Sequence, residues 1–555
     1  MPHVDGDIRV DFKVPMRAGV ALSADVYRPI GAGPFPTLLC RTPYDNQNLN
    51  YVAWALNFVE HGYAVVLQDC RGRYDSDGTW DPYVCEIEDG YDTQQWVGTQ
   101  PWCNGRIGTF GISYVGFTQL LPAALRSPYV QALVPTANQE DNYGHMYYDG
   151  VMQLQNLVNW GRLGNRNLQN VPFSYVDMDK LYRHLPLSSA LDSVSPRPQY
   201  RFFLSHPTFD EYWKSYSLKS RYPEIDTPAM FLTGWYDNLV HEQFKCFKGI
   251  STSARSESTR TLTKLVVGPW MHSGIGSAEP FGDIDFTETA RVDIPALHRR
   301  WYDRRLKDEP NGVDDEPPLH LFVMGRNVWR FEREWPLART QFTPYYLHSD
   351  GRANSRSGDG QLSEFAPGDE AADAFAYDPD NPVPTIGGQS MFPENTGPRD
   401  RQQLEDRDDV LVYTTPVLTR DVEVTGPIQL TLYAESSAVD TDFTATLVDV
   451  HPSGAAINIC DGITRARFRE SLEQPTPIEP GRVYEYAITL WETSNVFLAG
   501  HAIRLEVSSS NFPRFDRNLN SGEELATGTH MTVAGQRALH SAQYPSRLTL
   551  PIVPD

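Results

Sequence analysis

Residues 106–121 read Arg106-Ile-Gly-Thr-Phe-Gly-Ile-Ser-Tyr-Val-Gly-Phe-Thr-Gln-Leu-Leu121. Up to Phe110 the run is β-prone, and from Tyr114 onward the apolar residues fall at helical spacing. Ser113 therefore stands where a strand turns into a helix, flanked by Gly111 and Gly116. A serine at such a turn lies at the carboxyl end of a sheet, with its hydroxyl exposed and helix amides beside it. That is the nucleophile elbow used for acyl transfer. The glycine pattern alone is weak, because a chain of this length supplies it about 0.2 times by chance at ordinary Gly and Ser frequencies. Val115 also stands where the second glycine of G-x-S-x-G is usual, and Gly116 follows one residue later.

Working outward, short β-prone runs at Phe35–Cys40, Tyr63–Gln68, Arg106–Phe110 and Val130–Pro135 alternate with helical stretches such as Val52–His61 and Thr93–Thr99. That alternation predicts a largely parallel sheet covered by helices. It stops near Asn142, where apolar residues at helical spacing (Val151, Leu154, Leu157, Val158, then Met178, Leu181, Tyr182, Leu185) predict a helical cap inserted into the first domain. Strand signals return at Ala229–Thr233 and Leu265–Val267. After a Ser/Gly/Asn/Asp-rich stretch at Ser349–Gly360, the apolar period becomes two (Ile428, Leu430, Leu432; Ile503, Leu505, Val507), the pattern of a β-sandwich or jelly roll. The expected organisation is an α/β domain over residues 1–141 and 224–347, a helical cap over 142–223 and a jelly-roll domain over 348–555.

At 555 residues the chain is too long for one core, and its 40% apolar content is enough to fill two or three. A balance of 48 basic against 71 acidic residues, net −23, argues against a nucleic-acid partner. No apolar run is long enough to span a bilayer, so no membrane partner is expected. No secretory pattern precedes Val14, and the six cysteines are scattered without a C-x-x-C pair. These features predict reduced thiols and a cytoplasmic setting. The sequence leaves the oligomeric state open, a homodimer being one option.

A serine hydroxyl requires a base, and the base an orienting carboxylate. Met230–Thr233 runs into Gly234-Trp-Tyr-Asp237, and Leu265–Val267 into Gly268-Pro-Trp-Met-His272, so Ser113, Asp237 and His272 follow in the order Ser, Asp, His on strand-end loops. Taken singly, Asp237 reads as a helix cap and His272 as a structural histidine; the joint pattern points to a triad. An oxyanion needs two donors. The Tyr114 N–H is one by the geometry of the elbow. The Tyr44 hydroxyl, in the loop Arg41-Thr-Pro-Tyr-Asp45, is a candidate for the second, with a buried structural tyrosine as the alternative. No His or Cys cluster at ligand spacing is seen, and no metal or cofactor is expected.

With Gln68-Asp-Cys-Arg-Gly-Arg73, Ser436-Ser-Ala-Val-Asp-Thr-Asp-Phe443 and Ser508-Ser-Ser-Asn-Phe-Pro513, these motifs together resemble the bacterial cocaine esterase group of the X-Pro dipeptidyl-peptidase superfamily, from Val14 to Pro551. In that group the second glycine falls at plus three. The resemblance implies an α/β-hydrolase domain, an inserted helical cap and a jelly roll. It implies Ser113 as nucleophile, His272 as base, Asp237 as orienting acid, and Tyr44 with Tyr114 as oxyanion hole. It also places Trp235, Leu239, Met391 and Phe392 along the acyl pocket. The reaction it implies is hydrolysis of a small-molecule carboxylic ester. The rival is an X-Pro dipeptidyl aminopeptidase or an α-amino acid ester hydrolase/acylase, for which Asp210 and Glu211 would bind the substrate ammonium. A reading from another class is a non-catalytic binding protein that uses its jelly roll.

Overall fold

The computed structural model describes residues 6–161, 176–192, 198–392 and 395–554. The first sheet is assembled from β1 (Gly6–Pro15), β2 (Ala21–Pro29), β3 (Phe35–Thr42), β4 (Ala64–Asp69), β5 (Cys103–Ile112) and β6 (Val130–Thr136), then, after the cap, β9 (Met230–Tyr236), β10 (Lys264–Met271), β11 (Leu319–Val323) and β12 (Val328–Glu332). Its ten strands lie in the order β1-β2-β4-β3-β5-β6-β9-β10-β11-β12. The block from β4 to β11 is parallel; β1, β2 and β12 pair antiparallel at the two margins. Helices α1 (Leu49–Glu60), α2 (Glu86–Gly98), α3 (Tyr114–Ala123), α9 (Val240–Ser253), α10 (Glu257–Leu262) and α11 (Ile294–Leu306) make the connections. With helices on both faces the central strands are predominantly apolar, and every residue of β4 and of β9 is buried, Gln68 and Asp69 at the end of β4 included.

Between β6 and β9 the chain forms α4 (Asn142–Met146), a small hairpin of β7 (Tyr147–Tyr148) and β8 (Val151–Met152), α5 (Leu154–Gly161), α6 (Met178–Tyr182), α7 (Pro198–Leu204) and α8 (Glu211–Ser215). The expected all-helical insertion thus also carries a two-stranded hairpin. It arises where Asp149 and Gly150, both at positive φ, turn the chain back on itself.

The second sheet comprises β13 (Gln341–His348), β14 (Gln361–Ser363), β15 (Asp373–Tyr377), β16 (Leu411–Thr414), β17 (Val422–Ser436), β18 (Asp442–Val450), β19 (Ala456–Arg465), β20 (Tyr484–Phe497), β21 (Ala502–Ser508), β22 (Ala534–Leu539) and β23 (Arg547–Val553). Its path is β15-β22-β17-β23-β13-β14-β16-β21-β18-β19, with β20 added on β17. One expectation is corrected here. The strand β13 does not close the first domain at residue 347; it pairs with β23 and β14, so the chain has already entered the second sheet at Gln341. The Ser349–Gly360 stretch is accordingly a loop within the β domain, leading into β14.

At the margin, β15 alternates buried and exposed residues, as a half-solvated strand should, whereas all ten residues of β19 are buried. The second face of that region is covered by the other two units. Tyr236 Oη donates to Asn458 O, Tyr148 Oη to Thr489 O, and Met152 N–H to Asp516 Oδ1. Burial on both faces is reconciled with charge by ion pairs: Arg465 with Asp442 and Asp516, Arg401 with Glu506, Arg504 with Glu405, Arg514 with Asp461.

A further buried charge lies at His540. Its Nε2 is 2.8 Å from Asp373 Oδ2, and its Nδ1 is 3.3 Å from Glu370 Oε2. Burial opposes the imidazolium, but the two carboxylates outweigh it and the pKa of His540 is raised, while those of Asp373 and Glu370 are lowered. A raised folded pKa gives stability that is fully present below the unfolded histidine value, about 6.5, and lost as pH climbs through the folded value. The carboxylates act oppositely, contributing above about pH 4 and losing that contribution on acidification. Thermal midpoints measured from pH 5.5 to 9 should therefore fall more for the wild type than for His540→Gln; parallel profiles would refute the charge assignment.

Candidate active site

The turn at Ser113 joins β5 to α3 with φ 64° and ψ −126°, in a region that L-residues rarely occupy. Such a conformation costs about 1–3 kcal/mol and persists only when its surroundings enforce it. Ser113 N–H donates to Thr136 O of β6 at 2.9 Å, and Ser113 O receives the N–H groups of Gly116 and Phe117. Gly111 sits at φ +140°, and a Cβ there would lie 2.1 Å from Val115 Cγ1. A Cβ on Gly116 would come within 2.9 Å of Thr136 O and Asn138 Cβ. Helix α3 therefore meets β6 at position 116, while Val115 folds back over Gly111. That packing explains why the second glycine falls at plus three.

Asp237 follows β9 and is fully buried. Its Oδ1 accepts the Leu239 N–H at 2.9 Å and lies 3.0 Å from His272 Nδ1; Thr233 Oγ1 donates to its Oδ2 at 3.4 Å. His272, the first residue after β10, uses Nδ1 in this contact, which leaves Nε2 for other chemistry. Residues adjoining the proposed triad border one cavity of about 550 Å³, whose lining does not include Ser113, Asp237 or His272 themselves. Gly111 and Ile112 beside Ser113, Ser273 beside His272, and Tyr44 all line it.

Tyr44 is placed by the loop after β3, where its N–H donates to Thr42 Oγ1 and Arg73 Nε donates to Pro43 O at 2.8 Å. Arg73, buried over the Trp80 ring at 4.7 Å, gives the Gln68–Arg73 motif a physical role in holding this loop. The Tyr44 ring lies 6.4 Å from that of Tyr114.

Tyr114 is clamped from below. Its phenol donates to Glu86 Oε1 and accepts the Tyr83 N–H, both at 2.9 Å. Glu86 Oε2 lies 2.8 Å from Arg41 Nη1, with both side chains buried, and Arg41 Nε donates to Gln68 Oε1. Burial pushes the phenol pKa well above its ordinary value, and the Glu86 charge reinforces the shift, so Tyr114 stays protonated and donating. Its backbone N–H heads α3, where a helix supplies no internal partner.

The cap contributes residues that sequence reading did not single out. Trp160 of α5 packs 5.7 Å from Tyr114 and 6.5 Å from Tyr44 between ring centroids. Its Nε1–H points to Nε2 of His145 at 3.3 Å. His145 is buried in α4, and burial, seconded by the field of His272, lowers its pKa to about 4, so it is neutral near pH 7. Trp160 was visible as an aromatic on the apolar face of α5. Nothing in the sequence pairs Glu86 with Arg41, which are 45 positions apart.

The four pocket residues divide. Leu239 is buried at the head of α9, next to Asp237. Met391 and Phe392 lie on a loop of the β domain closed by the Gly388–Gly397 bridge. Gln389 Nε2 donates to Trp235 O at 3.1 Å, and Ser390 Oγ approaches Gln155 Oε1 of the cap at 3.5 Å, so this loop touches the other two units. Trp235 is corrected: its indole N–H donates to Phe322 O of β11 at 2.7 Å and its ring stacks on Phe244. It is a core residue under the sheet, placed there by strand alternation. Asp210 caps α8 and binds His206, and Glu211 is 90% exposed beside Lys214, so neither presents a free carboxylate to a ligand.

Two family models match: X-Pro dipeptidyl-peptidase (S15 family) over residues 18–274 and the X-Pro dipeptidyl-peptidase C-terminal non-catalytic domain over residues 311–549. The cocaine esterase of Rhodococcus sp. is 40% identical, across 99% of this chain and 100% of its own length. The chain belongs to the cocaine-esterase-like branch of the X-Pro dipeptidyl-peptidase family. A putative serine esterase of Mycobacterium bovis is 25% identical over 97% of this chain and 94% of its own. The crystal structure of an aminopeptidase from a marine-sediment Thaumarchaeota archaeon superposes with a TM-score of 0.87 at 24% identity, over 100% of this chain and 98% of that one, a likeness of fold. The architecture is that of this family: an α/β-hydrolase domain with an inserted cap and a C-terminal jelly roll.

The clamp under Tyr114 predicts an asymmetry. Glu86→Gln strands a buried guanidinium and should cost about 3–5 kcal/mol in urea denaturation. Arg41→Met combined with Glu86→Gln should recover part of that loss. Additive losses would show that the two groups do not act as a pair.

Proposed function

We propose that the chain hydrolyses carboxylic esters through an acyl-enzyme on Ser113, with His272 as base, Asp237 as its orienting acid, and Tyr44 Oη and Tyr114 N–H as oxyanion donors. By family the chain is a serine-type carboxylic ester hydrolase; the assignment of roles is the proposal. The observation that carries it is the 3.0 Å contact from a buried Asp237 to His272 Nδ1. That contact selects the tautomer whose Nε2 can take the Ser113 proton. His272 then protonates the departing alcohol, and water repeats the sequence to free the acid.

The finer reading concerns the substrate. No Asp, Glu, Lys or Arg lines the 550 Å³ cavity among the described residues, and its buried His298 is held neutral, with burial lowering its pKa to about 4. Tyr44, Tyr51 and Trp54 give it an apolar wall, Asn48 and Ser273 polar points. This supports uncharged small-molecule esters over substrates with a free ammonium. Leu239, Met391 and Phe392, which lie outside the lining of this cavity, are proposed as an acyl wall on the family resemblance alone. The six cysteines are all free thiols, which supports the cytoplasmic reading.

Hydrolysis of p-nitrophenyl acetate and butyrate by the purified chain tests the roles. Ser113→Ala should abolish turnover, and Tyr44→Phe should lower kcat by about 10²-fold or more with little change in KM. Equal rates for wild type and Ser113→Ala would overturn the nucleophile. Faster release from an X-Pro p-nitroanilide than from the esters would overturn the substrate class.

A further inference from the structure

Asp449, His451 and His501 meet at one end of the jelly-roll sheet, and strand register explains why. Asp449 is the penultimate residue of β18, His451 opens the hairpin toward β19, and His501 immediately precedes β21. β18 lies between the other two strands, with Val450 opposite both Ala456 and Ala502. Backbone hydrogen bonds fix the two histidines: His451 N–H donates to Ala455 O and His501 N–H to Leu498 O.

The donor atoms converge. His501 Nδ1 is 2.8 Å from Asp449 Oδ1, His451 Nε2 is 3.7 Å from Asp449 Oδ2, and one ligand atom from each residue falls within 4.8 Å of the other two. The imidazole rings lie 4.5 Å apart. A tetrahedral ion with bonds of about 2.1 Å holds its donors about 3.4 Å apart, between the two distances to the carboxylate. Small side-chain rotations suffice to place one ion among all three.

The charge balance of the domain points the same way. Its buried carboxylates Asp442, Asp461, Glu405 and Glu506 each face an arginine, and Asp373 faces the single histidine His540. Asp449 is equally buried, and its ion-pairing partners among the described residues are the two imidazoles. A buried carboxylate demands a cation, and here the groups beside it are metal ligands.

We propose that Asp449, His451 and His501 form a binding site for a divalent first-row transition ion of the Zn²⁺ class. Two imidazoles and one carboxylate suit Zn²⁺, Co²⁺ or Ni²⁺ better than the hard ions Mg²⁺ and Ca²⁺, which take oxygen ligands. Three protein ligands leave a coordination position for water. The ion ties the β18–β19 hairpin to the start of β21, so it acts on the stability of the β domain, because a ligand that binds only the folded state raises the melting temperature.

The experiment uses the full chain after chelator treatment and dialysis, titrated with Zn²⁺ by calorimetry and with Co²⁺ by its visible d–d absorption. The wild type should take up one equivalent in the micromolar range or tighter and gain several degrees in Tm. His501→Ala should lose that equivalent. His451→Gln, which keeps the Asp449–His501 hydrogen bond, should weaken it roughly tenfold or more. His184→Gln, an exposed histidine elsewhere, should change nothing. Esterase rates of each metal-free variant report folding, so a misfolded His501→Ala is recognised and His451→Gln decides. Failure of the wild type to bind, or unaltered binding in His451→Gln, overturns the site. Neither result bears on the roles of Ser113, Asp237 and His272.

Discussion

Everything in the candidate site depends on holding one backbone residue where it would not stay by itself. Ser113, at φ 64°, is kept there from three directions: Thr136 O on the adjacent strand takes its N–H, Val115 packs onto the bare Cα of Gly111, and the following phenol is anchored to Glu86. Each contact comes from a different part of the sheet or its helices, so the strain is distributed over the fold. The first N–H of α3, that of Tyr114, is left without an intrahelical partner.

The clamp under Tyr114 shows how the interior tolerates charge. Arg41 and Glu86 are both buried, an arrangement that adds little net stability over an apolar pair but is costly to break. Its geometric effect is to fix the phenol, and through it the start of α3. Trp160 closes the opposite side, so the aromatic rings of Tyr44, Tyr114 and Trp160 form one packed group contributed by two units of the chain. The loop at Met391 and Phe392 adds the third unit, held by hydrogen bonds to Trp235 O and the approach to Gln155. Loops contributed by three units can vary in sequence while the strand-end residues stay put.

Much of this was legible in the order of residues. Strand-to-loop transitions ending in Ser113, Asp237 and His272 could be read because local period and glycine placement are local properties, and a parallel sheet delivers strand ends to one face by construction. The two sheet classes separated for the same reason, continuous apolar runs against alternating ones. The errors were of one kind. Trp235 was assigned to the pocket although strand alternation carries its indole toward Phe322 and Phe244 in the core. β13 looked like a last strand of the first domain because pairing partners are invisible to periodicity; β14 and β23 claim it. The marginal strands β1 and β2 were not singled out, although Ile8, Val10, Phe12 and Val14, then Leu22, Ala24 and Val26, recur with period two.

By itself the sequence determined which residues end strands, where a strand turns into a helix at Ser113, and which side chains are candidates for acyl-transfer chemistry, because these follow from short-range sterics and residue type. Only the tertiary structure decided that Glu86 meets Arg41 beneath Tyr114, that Trp160 and His145 descend from the cap, and that Asp449 finds two histidines instead of an arginine. Those pairings join positions far apart in the chain, and their geometry is set by sheet order, strand register and the docking of three units, none of which leaves a periodic trace in the residues themselves.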